Sequence, residues 1–120
     1  MTNTVKQIDP LQDDVAKVDT VFAALANSTR RDLLHLLLSE GQQPVQQLAD
    51  HFDMRRPSIS EHLKVLREAG LVSERKQGRQ RYYHLEAAPL IELQEWLVPY
   101  ERFWSEKISN LHKLLEETHE

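Results

Sequence analysis

Residues 44–85 read PVQQLADHFDMRRPSISEHLKVLREAGLVSERKQGRQRYYHL, the pattern of two short helices joined by a tight turn and followed by a basic β-hairpin. In the second of these helices, Ile59, Leu63 and Leu66 fall at i, i+4 and i+7, so they share one face and form a single buried stripe. Pro44 suits the first turn of the first helix, because a residue there needs no backbone N–H. The stretch therefore predicts a helical pair whose second helix has one buried and one exposed face.

The exposed face of the second helix is polar, and its first turns are rich in small, hydrogen-bonding residues next to two arginines. This arrangement suits a helix whose N-terminal end enters the major groove of DNA and reaches the base edges. The residues expected there are Arg55, Arg56, Pro57, Ser60, Glu61 and Lys64, with Ser58, His62 and Arg30 as weaker candidates for phosphate contacts or the helix cap. As an alternative, Ser58 and Glu61 match the capping box S-x-x-E, which would move the helix start by several residues.

The hairpin offers a second basic surface. Residues 71–76 and 81–85 are predicted to pair across residues 77–80, where a glycine permits the positive φ that such a turn usually requires. We expect Arg79 at the tip and Arg81 on one arm to lie on the flanking backbone or in the minor groove. A merely solvated basic hairpin is the alternative. The predicted fold is a winged helix-turn-helix, mainly α with a small β-hairpin, in the order α-α-α-α-β-β-α.

The distribution of charge supports a nucleic-acid partner, although the total does not. The net charge of −4 would by itself repel phosphate. Residues 54–81, however, carry eight cations and three anions, a net charge of +5, and the remainder of the chain carries −9. Because the Debye length is about 8 Å at physiological salt, DNA would respond mainly to the nearby basic patch. We therefore expect double-stranded DNA as a partner, bound with a strong dependence on salt.

The composition narrows the remaining possibilities. Cysteine is absent, which removes disulfides, thiolate metal sites and thiol redox sensing. The opening residues lack the apolar run of a secretory signal, and no apolar stretch approaches the roughly 20 residues needed to span a bilayer. We expect a cytoplasmic protein with no membrane partner and no cofactor.

Two helices are predicted ahead of the helical pair. A heptad-like stripe runs along residues 11–26, and residues 27–29 break that helix and cap the next one, which Gly41 closes. The second helix is so rich in leucine that we expect it to be buried over most of its circumference. His35 within it is expected to be partly buried with a local hydrogen bond, in preference to a ligand role.

A helix over residues 87–118 carries an apolar stripe of eight positions, spaced by three or four residues over about seven turns. A single winged helix of this length cannot cover that surface, so a second copy across a two-fold axis is the economical partner. An ordinary core helix is the alternative for the N-terminal stripe. Pro99 is expected to kink the last helix or divide it into two. The predicted dimer interface comprises Leu11, Val15, Val18, Phe22, Leu93, Leu97, Tyr100, Trp104, Ile108, Leu111 and Leu115.

The predicted organisation is one domain after a disordered tail at residues 1–10, which are polar and aperiodic. The domain, residues 11–118, consists of a dimerisation helix (11–26), a DNA-binding core (28–85, with the wing at 71–85) and a second dimerisation helix (87–118).

Residues 24–85, above all LKVLREAGLV at 63–72 and the basic wing that contains a glycine, resemble the ArsR/SmtB family of bacterial transcriptional repressors. The last helix, with WL at 96–97, PY at 99–100 and FW at 103–104, looks like that of a subgroup without metal sites. The resemblance implies a homodimer that binds an inverted-repeat operator and represses by occluding RNA polymerase. It also implies that an effector relieves repression by changing the dimer.

The chain departs from the family's metal sensors, because the cysteine pair that they carry is missing from residues 45–52. The last helix offers His112 and His119 with Glu116 between them, but nothing that matches the family's Asp-x-His, so we expect no metal. Glu61 also departs from the family. It would accept a hydrogen bond from a cytosine amino group, or be held by neighbouring cations and weaken binding.

Two further questions are left open by the sequence. The aromatic side chains of the last helix, Trp96, Tyr100, Phe103 and Trp104, either pack in the dimer, which we favour, or line a pocket for a small hydrophobic effector. The alternative function is a winged helix used as a protein-interaction module with weak or no DNA binding. We expect no enzyme, because the chain shows no Gly-rich phosphate loop and no nucleophile–base arrangement.

Overall fold

The computed structural model of the protein describes residues 10–118, with side chains from residue 17 onward. Its elements are α1 (Pro10–Leu25), α2 (Ser28–Glu40), β1 (Gln43–Pro44), α3 (Val45–Ala49), α4 (Arg56–Glu68), β2 (Val72–Gln77), β3 (Gln80–Leu85) and α5 (Pro89–Glu117). The predicted winged helix-turn-helix is confirmed, with α3 and α4 as the helical pair and β2–β3 as the wing. One element was not predicted, the short strand β1.

The boundaries of α2 follow from its end residues, as the sequence predicted. The Asn27 side chain accepts a hydrogen bond from the backbone N–H of Arg30 at 3.1 Å, which caps the first turn. At the other end, the backbone of Gly41 has φ 82°, where a side chain would be strained, and its N–H donates to the carbonyl of Leu37.

The expectation that α2 is buried over most of its circumference is wrong. Leu33 and Leu37 are buried, but Leu38 is 69% exposed, because α2 packs on its neighbours along one face only. His35 lies on the open side and is exposed, and its ring forms no hydrogen bond with any described residue. The predicted partly buried histidine is therefore also wrong.

The core lies where α1, α2, α3 and α4 meet the base of the wing. The apolar stripe of α4 is fully buried in it, since Ile59, Leu63 and Leu66 are each 0% exposed. Burying one face of α4 against the other helices leaves the opposite, polar face in water, as the spacing predicted. The buried hydrophobic residues are Val21, Ala24, Leu33, Leu37, Leu48, Ile59, Leu63, Leu66, Leu71 and Val72.

The sheet has three antiparallel strands in the order β1-β3-β2. Pro44 lies in β1 and precedes α3 as its N-cap, so its predicted place in the first turn of that helix is wrong. A proline is tolerated there because β1 is an edge strand and the missing N–H breaks no central ladder. The wing pairs one residue further than predicted, since Gln77 faces Gln80 and the turn is only two residues long. Gly78, with φ 63°, occupies the first of them.

The last helix, α5, runs for 29 residues, about 44 Å, and is not divided at Pro99. Proline removes the hydrogen bond to the carbonyl four residues earlier, that of Glu95. Both residues are exposed, so that carbonyl is accessible to water and the helix continues. None of the helices within residues 10–118 combines the length and the apolar character needed to cross a membrane.

Candidate nucleic-acid interface

The start of α4 presents the residues that were predicted to meet DNA. Arg55 is the N-cap residue, with extended backbone and no side-chain hydrogen bond to the helix, and Pro57 occupies the first turn. The exposed residues of this surface are Arg55, Arg56, Pro57, Ser58, Ser60, Glu61 and Lys64, whereas His62 is half-buried. The alternative capping box does not form, because the helix begins two residues before Ser58.

Glu61 forms no ion pair with any described residue, although Lys64 lies one turn away. The hypothesis that neighbouring cations hold Glu61 is therefore not met in this structure. Its carboxylate projects from the middle of the exposed face of α4 and is available as a hydrogen-bond acceptor.

Arg30, a weak candidate for a phosphate contact, has a structural role instead. Its guanidinium donates to the carbonyls of Ala24, at 2.6 Å, and Ala23, at 3.1 Å, the last turn of α1. Its third contact is with Nδ1 of His62 on α4, at 3.3 Å. Because a guanidinium only donates, this ring nitrogen must accept, so a proton on the neutral ring lies on Nε2. Arg30 and His62 thus tie α1 to α4.

The base of the wing contains a carboxylate surrounded by donors. Glu74 on β2 accepts from Arg81 at 2.7 Å, from Arg67 of α4 at 3.0 Å and from the hydroxyl of Tyr83 at 2.9 Å. Its side chain is only 16% exposed. Burial alone raises the pKa of Glu74, but the hydrogen bonds from Tyr83 and Arg81 and the charges of the two arginines outweigh it and hold the pKa below the usual range. Glu74 is therefore charged at neutral pH.

Tyr83 responds in the opposite sense. Burial, together with the hydrogen bond to Glu74 and the charge of that carboxylate, raises the pKa of the Tyr83 hydroxyl. The phenol therefore stays protonated and remains a donor to Glu74 throughout the physiological range.

These contacts make the basic surface smaller than the sequence indicated. Arg67 and Arg81 are paired with Glu74, and Arg75 lies 3.6 Å from Glu86. Among the residues with described side chains, the cations of this stretch that form no ion pair are Arg55, Arg56, Lys64, Lys76 and Arg79. They lie at the start and on the exposed face of α4 and at the tip of the wing.

The side chains predicted for the dimer interface are open along most of α5. Val18, Leu93 and Leu97 are half-buried, whereas Phe22 and the stripe from Tyr100 to Leu115 are exposed. The rings near the middle of α5 pack on one another: Phe22 meets Trp96 edge-on with centroids 5.5 Å apart, and Trp96 stacks on Tyr100 at 5.0 Å. Leu11 and Val15 lie outside the residues with described side chains.

Within the described residues, no three histidine, aspartate or glutamate side chains are grouped so that they would hold a metal ion. His112 and Glu116 are exposed on α5, and His119 lies outside the described residues. The absence of a metal site therefore stays a prediction.

Sequence reasoning missed Glu74, which it counted only as one of three anions that reduce the basic charge. A signal was present in the predicted register of the wing. Pairing residue 76 with residue 81 also places Glu74 opposite Tyr83 and diagonal to Arg81, within reach of both. The register could not predict that Arg67 of α4 approaches Glu74, because this contact depends on tertiary packing.

A helix-turn-helix with a polar reading helix and a basic wing defines a DNA-binding protein of the winged-helix class. Residues 27–74 match the family described as "Bacterial regulatory protein, arsR family". The chain is 35% identical to the transcriptional repressor SdpR of Bacillus subtilis over 81 residues, 68% of this chain and 89% of that protein. It is 36% identical to the HTH-type transcriptional regulator Rv2034 of Mycobacterium tuberculosis over 98 residues, 82% and 88% of the two chains.

The chain therefore belongs to the arsR family of bacterial transcriptional regulators. A solved structure is similar as well: the homodimeric winged helix-turn-helix DNA-binding domain Mb0332 of Mycobacterium bovis, a possible ArsR-family regulator. The TM-score is 0.57 at 30% identity, over 83% of this chain and 94% of that fragment. The family predicted from residues 24–85 is confirmed. The prediction that the protein is a transcriptional regulator and not an enzyme is confirmed as well.

Proposed function

We propose that this protein is a homodimeric transcriptional repressor that binds an inverted-repeat operator and leaves it when an effector changes the dimer. The observation that carries the proposal is the exposed surface of α4 and the wing. Five of its cations form no ion pair with any residue whose side chain is described, and they project from α4 and the wing, the two elements that a winged helix places on one duplex: Arg55, Arg56, Lys64, Lys76 and Arg79.

Base contacts are assigned to the first turns of α4 and backbone contacts to the wing. Arg56 is a candidate for bidentate recognition of guanine, and Glu61 for accepting from a cytosine amino group. Ser60 and Lys64 lie along the same exposed face, and Arg79 reaches the flanking phosphates or minor groove. Ser58 and the half-buried His62 are left with phosphate contacts at most. Arg81 acts through Glu74 and not as a free cation.

The homodimer is supported by the surface that α5 leaves open. This 29-residue helix has no buried residue, although it carries two tryptophans and, along one face, a series of aliphatic side chains. Trp104 is 62% exposed. An apolar stripe of this length is typical of a helix that pairs with another copy. The M. bovis relative is described as homodimeric, which supports the same assembly here.

Repression is proposed because the B. subtilis relative is named a repressor and because binding at a promoter excludes polymerase. The effector is proposed to act without thiols, since the chain has no cysteine. The aromatic cluster around Trp96 is a candidate contact for a small hydrophobic effector, with dimer packing as its alternative role.

The test is binding of the full chain to the DNA upstream of its own gene and to a scrambled duplex, across a salt series, with the mass measured in parallel. Sequence-selective, salt-sensitive binding by a species of about twice the 14.1 kDa chain mass is expected. A stable dimer that ignores DNA even at low salt would favour the alternative function, a protein-interaction module.

Arg56→Ala separates base reading from general charge. If Arg56 reads a base, specific affinity falls by about 1–3 kcal/mol while binding to scrambled DNA changes much less. An equal loss on both duplexes would instead identify a phosphate contact. Arg102→Ala is the matched control. Arg102 is exposed on α5, so this substitution removes the same charge far along the chain from α4.

A further inference from the structure

Glu74 is placed where a carboxylate is electrostatically unfavourable for binding DNA. It lies in the middle of the basic surface, on β2 between α4 and the tip of the wing. Nevertheless it is one of the better-partnered side chains of the protein, with three donors within 3.0 Å. Even a partly buried carboxylate costs desolvation energy unless its oxygens are satisfied, and here donors reach both of them.

The three donors come from two different elements. Arg67 belongs to the last turn of α4, whereas Arg81 and Tyr83 belong to β3. Glu74 Oε2 is shared by Arg67 and the Tyr83 hydroxyl, and Oε1 receives Arg81. The carboxylate therefore joins the recognition helix to both strands of the wing through one group. Among the described side chains, the other wing ion pair, Arg75 with Glu86, stays within the wing and the loop after it.

The cluster also marks the end of the packed part of the hairpin. Val72 and Leu85 at the base are buried or packed against the core, and Glu74 and Tyr83 form the last cross-strand pair in which both side chains are shielded. Beyond that pair, residues 76–81 are all exposed. The position of the wing tip relative to α4 therefore depends on the Glu74–Tyr83 pair, the last shielded pair before the tip.

We propose that Glu74 is a positioning residue for DNA binding: through Arg67, Arg81 and Tyr83 it fixes the wing against the recognition helix, so that the wing tip and α4 engage one operator together. This rests on the proposed function. The proposal predicts that loss of the Glu74 charge weakens operator binding. Charge alone predicts the opposite, because removing an anion near DNA and releasing two arginines should strengthen binding.

Glu74→Gln tests the proposal, because glutamine has nearly the same shape and lacks the charge. Glu68→Gln is the matched control, since Glu68 is exposed at the end of α4 and forms no ion pair with a described residue. We expect Glu74→Gln to weaken operator binding about tenfold, the size of a modest coupling between two sites. Scrambled DNA should bind equally well or better, so that selectivity falls. Glu68→Gln should keep wild-type selectivity. Equal or tighter operator binding by Glu74→Gln would overturn the proposal.

A double-mutant cycle that combines Glu74→Gln with Arg67→Gln tests whether Arg67 and Glu74 affect operator binding through each other. If Arg67 acts through Glu74, the double variant binds the operator about as weakly as the weaker single variant. If Arg67 contacts phosphate independently, the two effects add, and the link to α4 is refuted. Tyr83→Phe removes only the hydroxyl and serves as the milder variant should Glu74→Gln fold poorly.

Hydrogen exchange without DNA provides a readout that does not depend on the proposed function. Glu74→Gln should increase exchange at the amides of residues 76–81 and leave those of α2 unchanged. If the wild type ignores DNA while exchange at the wing tip rises, the proposed function fails and the positioning of the wing stands. If the wing amides do not respond, the positioning role is refuted even where the protein binds its operator selectively.

Discussion

The exposed stripe of α5 permits a matched comparison within one helix. Ile108 lies on the stripe and is 50% exposed, whereas Ile91 is 57% exposed on the same helix. At 100° per residue, Ile91 points about 140° away from the centre of the stripe and Ile108 about 40°. Ile108→Ala and Ile91→Ala therefore make the same chemical change at similar exposure on different faces. Any gain in helix propensity from alanine is shared by both variants.

The expected loss of dimerisation free energy follows from the part of the Ile108 side chain that is still exposed in the single chain. Isoleucine to alanine removes three carbon groups, each worth about 0.8 kcal/mol on full burial. Since Ile108 is half exposed in the single chain, pairing with a second copy would bury the other half, about 1.2 kcal/mol per subunit. A two-fold interface contains the residue twice, so the dimer should weaken by about 2.4 kcal/mol, roughly 60-fold in Kd.

Sedimentation of fluorescently labelled protein from nanomolar to micromolar concentrations measures the dimer Kd of each variant directly. Ile108→Ala should shift the Kd by the stated amount, and Ile91→Ala should leave it within about threefold of the wild type. Equal shifts for the two variants would refute the assignment of the stripe to the interface. A monomeric wild type across the whole range would refute the dimer itself.

Two predictions concern the wing. Arg79→Ala should lower DNA affinity with little change in the preference for operator over scrambled duplex, because a residue at the tip contacts backbone; unchanged affinity in a gel-shift titration would rule out that role. For Glu74, hydrogen bonds from Tyr83 and Arg81 and the charges of Arg81 and Arg67 outweigh burial and lower the pKa. Its contribution to folding is therefore complete above the ordinary glutamate pKa, about 4.3, and is lost as the pH falls through the lower folded-state pKa. Urea unfolding should show the advantage of the wild type over Glu74→Gln at pH 6 and its progressive loss as the pH is lowered below the ordinary glutamate pKa; an advantage that does not decrease in acid would contradict the charged network.

Local signals in the sequence predicted those parts of the fold that local physics decides. The period of Ile59, Leu63 and Leu66 identified the buried face of α4, and the same period left the polar residues that are proposed to face DNA on the other side. Asn27 and Gly41 marked the ends of α2 because a cap and a positive φ are each requirements of a few adjacent residues. The register of the wing was also implied, because the turn leaves little choice of pairing.

The errors lie where neighbours distant in sequence decide the outcome. A strand of two residues such as β1 has no period to detect, and it exists only because β3 offers an open edge. Arg30 looked like a surface cation until α1 placed its last carbonyls within reach. From the sequence alone, Glu74 was counted only as a negative charge. Its contact with Arg67 was missed, because the side chain of Arg67 approaches only after α4 has packed on the core.

Arg30 and Glu74 give the recognition helix two fixed attachments. Arg30 joins the C-terminal end of α1 to His62, in the middle of α4, and Glu74 joins Arg67, in its last turn, to the wing. In the proposed dimer, α1 and α5 set the distance between the two recognition helices, which an operator fixes at about 34–36 Å per helical turn of DNA. A displacement of α1 would be transmitted through Arg30 to α4, and from α4 through Glu74 to the wing tip. In the proposed repressor, a change in the spacing of the two intact reading surfaces would relieve repression without altering any residue that is proposed to contact a base.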